Sequence, residues 1–214
     1  MSKVFIIGGG PSLGGFNFKS LDGHDCITIN KSLFNVPNPK YFITIDHSFL
    51  NKTKGVRRQI AESSANSFFV SNYAGGTLKD DDGRILCTKT KRHYNLAGFD
   101  VIIKSKKHAG IGFDWGDFRN GNCSGYCAMQ LAVLLRYDEI YMLGIDLATS
   151  GNKTHYHNGY GTRLDKMVSS LDGYFKYFRD GVKVALNNNI KIFSCSSISR
   201  LNGIIPFVDS STVL

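Results

Sequence analysis

No apolar run in this sequence approaches the roughly 18 residues needed to cross a bilayer. The chain also opens directly on a strand-like segment, without a leader-type apolar region or a small-residue cleavage site, so a cytoplasmic protein with no membrane span is expected. Cysteines are few and odd in number. Cys26, Cys87, Cys123, Cys127 and Cys195 are spread over separate segments, mostly beside apolar neighbours, which argues for buried free thiols rather than a disulfide framework. Cys123 and Cys127 would sit one helical turn apart, but no second Cys or His pair has matching spacing, and no metal site is expected. There is no internal repeat, no GxGxxG fingerprint and no GxxxxGK(S/T) loop. Acidic residues are in deficit: 17 Asp plus Glu against 26 Lys plus Arg give a net charge of +9. That balance favours acidic partners such as nucleotides, an anionic acceptor or nucleic acid, and it fits a pure solubility role equally well.

What is present begins with Lys3–Leu13, KVFIIGGGPSL. Branched and aromatic residues pack well on a pleated surface, so Val4-Phe5-Ile6-Ile7 reads as a buried strand. It breaks without transition into Gly8-Gly9-Gly10-Pro11-Ser12. Glycines there let a ligand lie against backbone N–H groups with no Cβ in the way. Either this loop holds the phosphate of a nucleotide, or it is a tight strand exit with no ligand. Further strands are predicted over Cys26–Ile29, Tyr41–Ile45, Ser67–Val70, Phe99–Ile103, Ile140–Leu143 and Ile190–Phe193. Helices are predicted over Gly55–Ser63, over Asn122–Leu135 with Ser124 as its cap, and over Leu164–Asn187. Several strands end in small polar groups, at Asn30, at Asp46-His47-Ser48 and at Asp146, and in a parallel sheet such ends line one crevice. From Arg84 to Lys107, seven Lys/Arg face one acid, Asp100. The stretch 73–118 therefore reads as a basic insertion or lid, either acceptor-binding or simply solvated. The prediction is one α/β domain over 1–214, a Rossmann-like, mostly parallel sheet with helices on both faces; 42% apolar residues and 15 phenylalanines can fill its core.

Four landmarks fall in a familiar order: Gly8–Leu13 after the first strand, Asn30 after the second, the block Cys123–Ala128 running on to Glu139–Asp146, and the closing strand Ile190–Cys195 with its serine-rich exit. Over most of its length outside 73–118 the chain resembles the small bacterial sialyltransferases that use a CMP-sugar donor, and the wider group of phage and archaeal proteins with a GxGPSL loop. The resemblance implies a nucleotide-sugar-dependent glycosyltransferase needing no cofactor beyond its donor, a CMP-sugar being favoured. The acceptor would be a hydroxyl of a charged molecule, glycan or phage DNA, and a homo-oligomer such as a tetramer would fit. It assigns Gly8, Gly9, Gly10, Pro11 and Ser12 to the donor's phosphate and ribose, and Ser124 and Gly125 to the helix start beside it. Asn30 and Asp46 match two asparagines that hold the donor. Asp46 departs from that pattern, because a carboxylate cannot donate to a phosphate or a sugar acid and repels both, although it accepts from a hydroxyl or amine. The family arginine three residues before the SG serine is Gly121 here, leaving Arg119 as the nearest substitute. The family's histidine base corresponds to a point within Gly159–Phe178, which has no histidine; His155 and His157 come slightly earlier. Tyr156 and Tyr160 are loose counterparts of the tyrosines that assist the leaving phosphate.

Transfer from a nucleotide sugar needs a base for the acceptor hydroxyl and charge stabilisation on the departing phosphate. Amides of Gly8–Ser12, the helix start at Ser124 and the phenols of Tyr156 or Tyr160 are the candidates for the second task. An imidazole suits the first. His155 and His157 would face one way in an extended stretch, with Tyr156 opposite; surface histidines or a metal pair are the alternatives, and His47 is a competing base. Asp146 would bind ribose or Mg²⁺, or cap its turn. Arg92, Lys104, Lys106, Lys107 and Arg119 are the acceptor-binding candidates. Two other functions stay open. One is a Mg²⁺-dependent, pterin-type diphosphokinase with Asp46 and Asp146 sharing the metal. The other is a non-catalytic nucleotide or nucleic-acid binding module using the basic stretch.

Overall fold

The computed structural model describes residues 1–71, 78–79, 85–87, 99–157 and 164–214. Short runs of branched and aromatic residues form the strands β1 (Lys3–Ile7), β2 (Cys26–Ile29) and β3 (Tyr41–Thr44). Helices α1 (His47–Lys52) and α2 (Val56–Glu62) lead to β4 (Asn66–Ser71), and a small antiparallel pair, β5 (Leu78–Lys79) and β6 (Ile85–Cys87), follows. Then come β7 (Val101–Lys107), β8 (Phe118–Arg119), α3 (Ser124–Leu134), β9 (Glu139–Leu143), α4 (Leu164–Asn187) and β10 (Lys191–Ser194). Eight strands make one sheet in the order β10-β9-β1-β2-β3-β4-β7-β8, every pairing parallel. The Rossmann-like α/β architecture expected from the sequence is the one the chain adopts. Parallel strands covered on both faces read as continuous apolar runs, and Val4, Phe5, Ile6 and Ile7 of the central β1 are all fully buried.

Two local expectations are corrected. The helix after Asn122 is capped by Cys123, whose Sγ accepts from the Tyr126 amide at 3.4 Å, and Ser124 is instead its first residue. The strand expected over Phe99–Ile103 starts at Val101 and continues through Lys107, pairing Phe68 with Val101 and Ser71 with Lys104. The basic end of 73–118 is thus part of the main sheet. Lys104 interrupts its apolar pattern, and a basic residue is tolerated there because β7 lies next to the sheet edge, with two-residue β8 beyond it among the described residues. Most of the stretch before it, where a lid was expected, lies outside the described residues. Among the described residues, no helix is long and apolar enough to cross a membrane.

Helix α3 has no polar stripe. Tyr126 through Leu134 are all buried, with the sheet on one side and α4 on the other, so no face needs water. α4 instead turns Leu171, Phe178, Val182 and Ala185 inward. The two helices approach closely where a methyl on Gly181 would overlap the Tyr126 phenol, whereas a methyl on Gly173 meets nothing within 4 Å. Alanine is normally the better helix former by about 1 kcal/mol. Gly173→Ala is therefore expected to raise stability by up to about 1 kcal/mol. Gly181→Ala, overpacking the same helix, should lower it by about 1–3 kcal/mol. Urea unfolding of the two variants checks both signs.

Candidate active site

The chain enters at β1, lays β2, β3, β4 and β7 to one side, and returns to place β9 on the other side of β1. Loops leaving β1 and β9 diverge, and in open α/β sheets ligands bind where that happens. A cleft of about 570 Å³ opens at this point. Its floor is the glycine run after β1, Asn30 after β2, Ile45 and Asp46 after β3, and Gly144–Ala148 after β9. Ser124 and Gly125 at the start of α3 form one wall, and Thr154 and His155 another.

The glycine loop is held differently from a cradle of free amides. Gly8 N–H donates to Leu143 O and Gly10 N–H to Gly144 O, both at 2.8 Å, and Leu13 N–H donates to Gly10 O at 3.2 Å. Ser12 gives both of its donors to Asp146, its amide to Oδ2 at 2.8 Å and its hydroxyl to Oδ1 at 2.7 Å. Pro11 has no N–H. Within Gly8–Ser12, only the Gly9 amide lacks a partner among the described residues. This corrects the expectation that the whole loop grips a phosphate through its backbone, and it makes Ser12 a positioning residue. The glycines are needed for a second reason: a methyl on Gly8 would overlap Gly144 O, and one on Gly10 would overlap the Asp146 carboxylate. Asp146 is 2% exposed, and its two oxygens are occupied by Ser12. Asp46 lines the same cleft, its Oδ1 turned to the start of α1.

Asn30 and Asp46 do meet in the cleft, and one hydroxyl connects them. Asp46 N–H donates to Thr44 Oγ1 at 3.0 Å, and Thr44 Oγ1 donates to Asn30 Oδ1 at 2.6 Å. That order fixes the Asn30 amide with its NH₂ turned away from Thr44. Asp46 also caps α1, Oδ1 accepting from Ser48 N–H at 2.8 Å and Phe49 N–H at 3.2 Å. The sequence offered no reading of α1, and this cap explains where it starts. Ile45 N–H donates to Ser124 Oγ at 3.3 Å, bringing the end of β3 against the start of α3.

Tyr156 N–H donates to Gly9 O at 3.1 Å and so pins the histidine segment over the glycine loop. The His155 and His157 rings stack, with centroids 5.3 Å apart and planes 18° apart, on the same side as their extended spacing predicts. His155 lines the cleft and its Nδ1 lies 2.9 Å from Thr154 Oγ1. Burial holds its pKa below the ordinary histidine value, with Lys31 adding to the effect. His157 packs behind it; burial, then His155 and Lys31, bring it down to about 4. Both imidazoles are therefore neutral at neutral pH.

The other candidates separate from this group. Tyr156 points the opposite way, packing on Phe18 at 5.5 Å and accepting from Asn35 Nδ2 at 2.8 Å, so it does not face a leaving group. The His47 ring packs against Phe69 at 4.7 Å and is not part of the cleft wall, which removes it as the competing base. Arg119 does not reach back to replace the missing family arginine. Its guanidinium forks onto Asp117 at 2.8 and 2.5 Å and donates to Ala109 O at 2.9 Å. Lys104 sits on β7, beyond β4 from the cleft. Lys106 and Lys107 belong to the same strand, while Tyr160 and Arg92 lie outside the described residues.

Helix α4 supplies what sequence reasoning missed. Ser170, Tyr174 and Phe178 line the cleft, spaced i, i+4 and i+8 along one face, a periodicity that was there to be read. The Tyr174 phenol is pushed up by burial, then by Cys123, with Ser170 opposing and Asp46 adding, so it stays a protonated donor. Cys123 also lines the cleft, but burial pushes its thiol up to about 11, which makes it a poor nucleophile at neutral pH.

No protein-family model and no curated protein sequence matches the chain. Solved structures do. The sialyltransferase CstII from Campylobacter jejuni, in complex with the substrate analogue CMP-3FNeuAc, superposes with a TM-score of 0.56 at 19% identity, covering 97% of this chain and 86% of that one. The monofunctional alpha-2,3-sialyltransferase Cst-I from the same organism gives 0.57 at 16% identity, covering 97% and 80%. At these identities the likeness is one of fold, and it is the fold that the sequence landmarks anticipated.

Proposed function

From a fold shared with nucleotide-sugar-using sialyltransferases, we propose that this chain is a cytoplasmic glycosyltransferase that seats a nucleotide-sugar donor in the switch-point cleft and transfers the sugar to a hydroxyl of an acidic acceptor. The observation that carries the reading is the position of His155, a neutral imidazole lining the same cleft as the N-terminus of a long buried helix. With Nδ1 set against the Thr154 hydroxyl, Nε2 is the nitrogen assigned to take the acceptor's proton. Charge developing on the leaving phosphate is met by the partial positive charge at the start of α3, by the Gly9 amide, by the Asn30 NH₂ and by the Tyr174 hydroxyl. A CMP-sugar is the favoured donor, with no resident metal in the mechanism. The net charge of +9 suits an anionic acceptor, glycan or nucleic acid.

Thermal-shift measurements with CMP, UDP, GDP, ATP and NAD, each with and without Mg²⁺, test the reading. Stabilisation by CMP without metal is the expected result. A response confined to ATP with Mg²⁺ would favour diphosphate transfer. Salt-sensitive DNA binding with no nucleotide response would favour a binding module.

A further inference from the structure

We propose that the sugar carried by the donor is uncharged or bears an amine, and that Asp46 enforces this by excluding sugar acids. The inference rests on the glycosyltransferase reading above and names the substrate class for the same cleft. Although the chain carries a net charge of +9, the cleft lining among the described residues contains two carboxylates, Asp46 and Asp146, and no lysine or arginine. Lys31 lies within electrostatic reach of the two histidines but is not part of the wall. Asp146 spends its oxygens on Ser12, so Asp46 is the carboxylate available to a ligand. One of its oxygens is turned to the start of α1, and the other has no partner among the described residues.

The position of Asp46 relative to the phosphate-binding elements sets what it meets. The bond from Ile45 N–H to Ser124 Oγ puts Asp46 one residue from the start of α3, where the phosphate is held. Asp46 and Tyr174 line the same cleft, so a group attached to that phosphate meets a carboxylate and a phenol there. An ionised carboxylate only accepts hydrogen bonds. A hydroxyl or ammonium satisfies it, whereas a second carboxylate brings like charges together with no lysine or arginine among the described lining residues to separate them.

The test compares binding within matched pairs that differ in one charge. These are a CMP-linked sialic acid against its methyl ester, and UDP-glucuronate against UDP-glucose, with bare CMP and UDP alongside, each titrated calorimetrically. The native protein is expected to bind the uncharged member at least about tenfold tighter in whichever nucleotide series it accepts, one decade being a modest like-charge effect. Asp46→Asn retains a good helix cap and should bring that ratio to about one or reverse it, since an amide can donate to the acid. A native preference for the acidic member, or a ratio untouched by the substitution, overturns the inference while leaving the glycosyltransferase reading in place. If no nucleotide or nucleotide sugar binds at all, it is the glycosyltransferase reading that fails, and the inference with it.

Discussion

Turnover of the His155→Ala variant is expected to fall about 10²–10⁴-fold, the usual contribution of a positioned general base, with donor affinity nearly unchanged. His157→Ala should cost far less, because that ring packs behind His155 rather than in the cleft wall. The pH profile carries the sign. Burial lowers the His155 pKa, so the neutral imidazole predominates at pH 7 and protonation sets in as pH falls below the ordinary histidine value of about 6.5. kcat/KM should be flat through neutrality and decline on the acid side, and the decline should disappear in whatever activity His155→Ala retains. If the double replacement of His155 and His157 turned over like the native enzyme, the base would have to be sought elsewhere.

Asp146→Ala is expected to combine the largest stability loss with loss of nucleotide binding. The carboxylate is 2% exposed and receives two hydrogen bonds from Ser12, so its removal strands two donors in a packed loop. Each stranded donor costs about 1–3 kcal/mol, giving about 2–6 kcal/mol in all. The main chain at Ile145 and Asp146 is tied down as well, with Ser199 Oγ donating to Ile145 O at 2.8 Å and Arg200 N–H to Asp146 O at 2.9 Å. Those bonds survive the substitution, so the loss should concentrate on the glycine loop. Ser12→Ala removes one donor together with its need for a partner, and should cost only about 1 kcal/mol. Urea unfolding separates the two variants, and nucleotide titration should follow the same order.

Strand positions were legible because a sheet buried on both faces leaves apolar runs at Val4–Ile7 and Ile140–Leu143, and at Cys26–Ile29 broken only by Thr28. The polar residues that end those strands converge for the same topological reason, which is why Asn30, Asp46 and Asp146 could be grouped before any geometry was known. Hydrogen-bond direction could not be read that way. Nothing in GGGPS reveals that its amides serve the loop after β9, because their partners are more than 130 residues away in sequence. Periodicity placed His155 and His157 together and turned Tyr156 away from them, yet the phenol was still expected to assist the leaving group. Tyr174 sits among Phe175, Tyr177 and Phe178, and the spacing that sets it on one face with Ser170 does not say that this face meets the cleft.

The hydroxyl of Thr44 can donate only once, and it gives that proton to Asn30 after accepting from the Asp46 backbone. The Asn30 side chain consequently cannot rotate end over end without breaking the chain of bonds beneath it. Its rotational freedom is surrendered when the protein folds, so a ligand arriving later encounters a dipole already aimed and loses no affinity to orienting it.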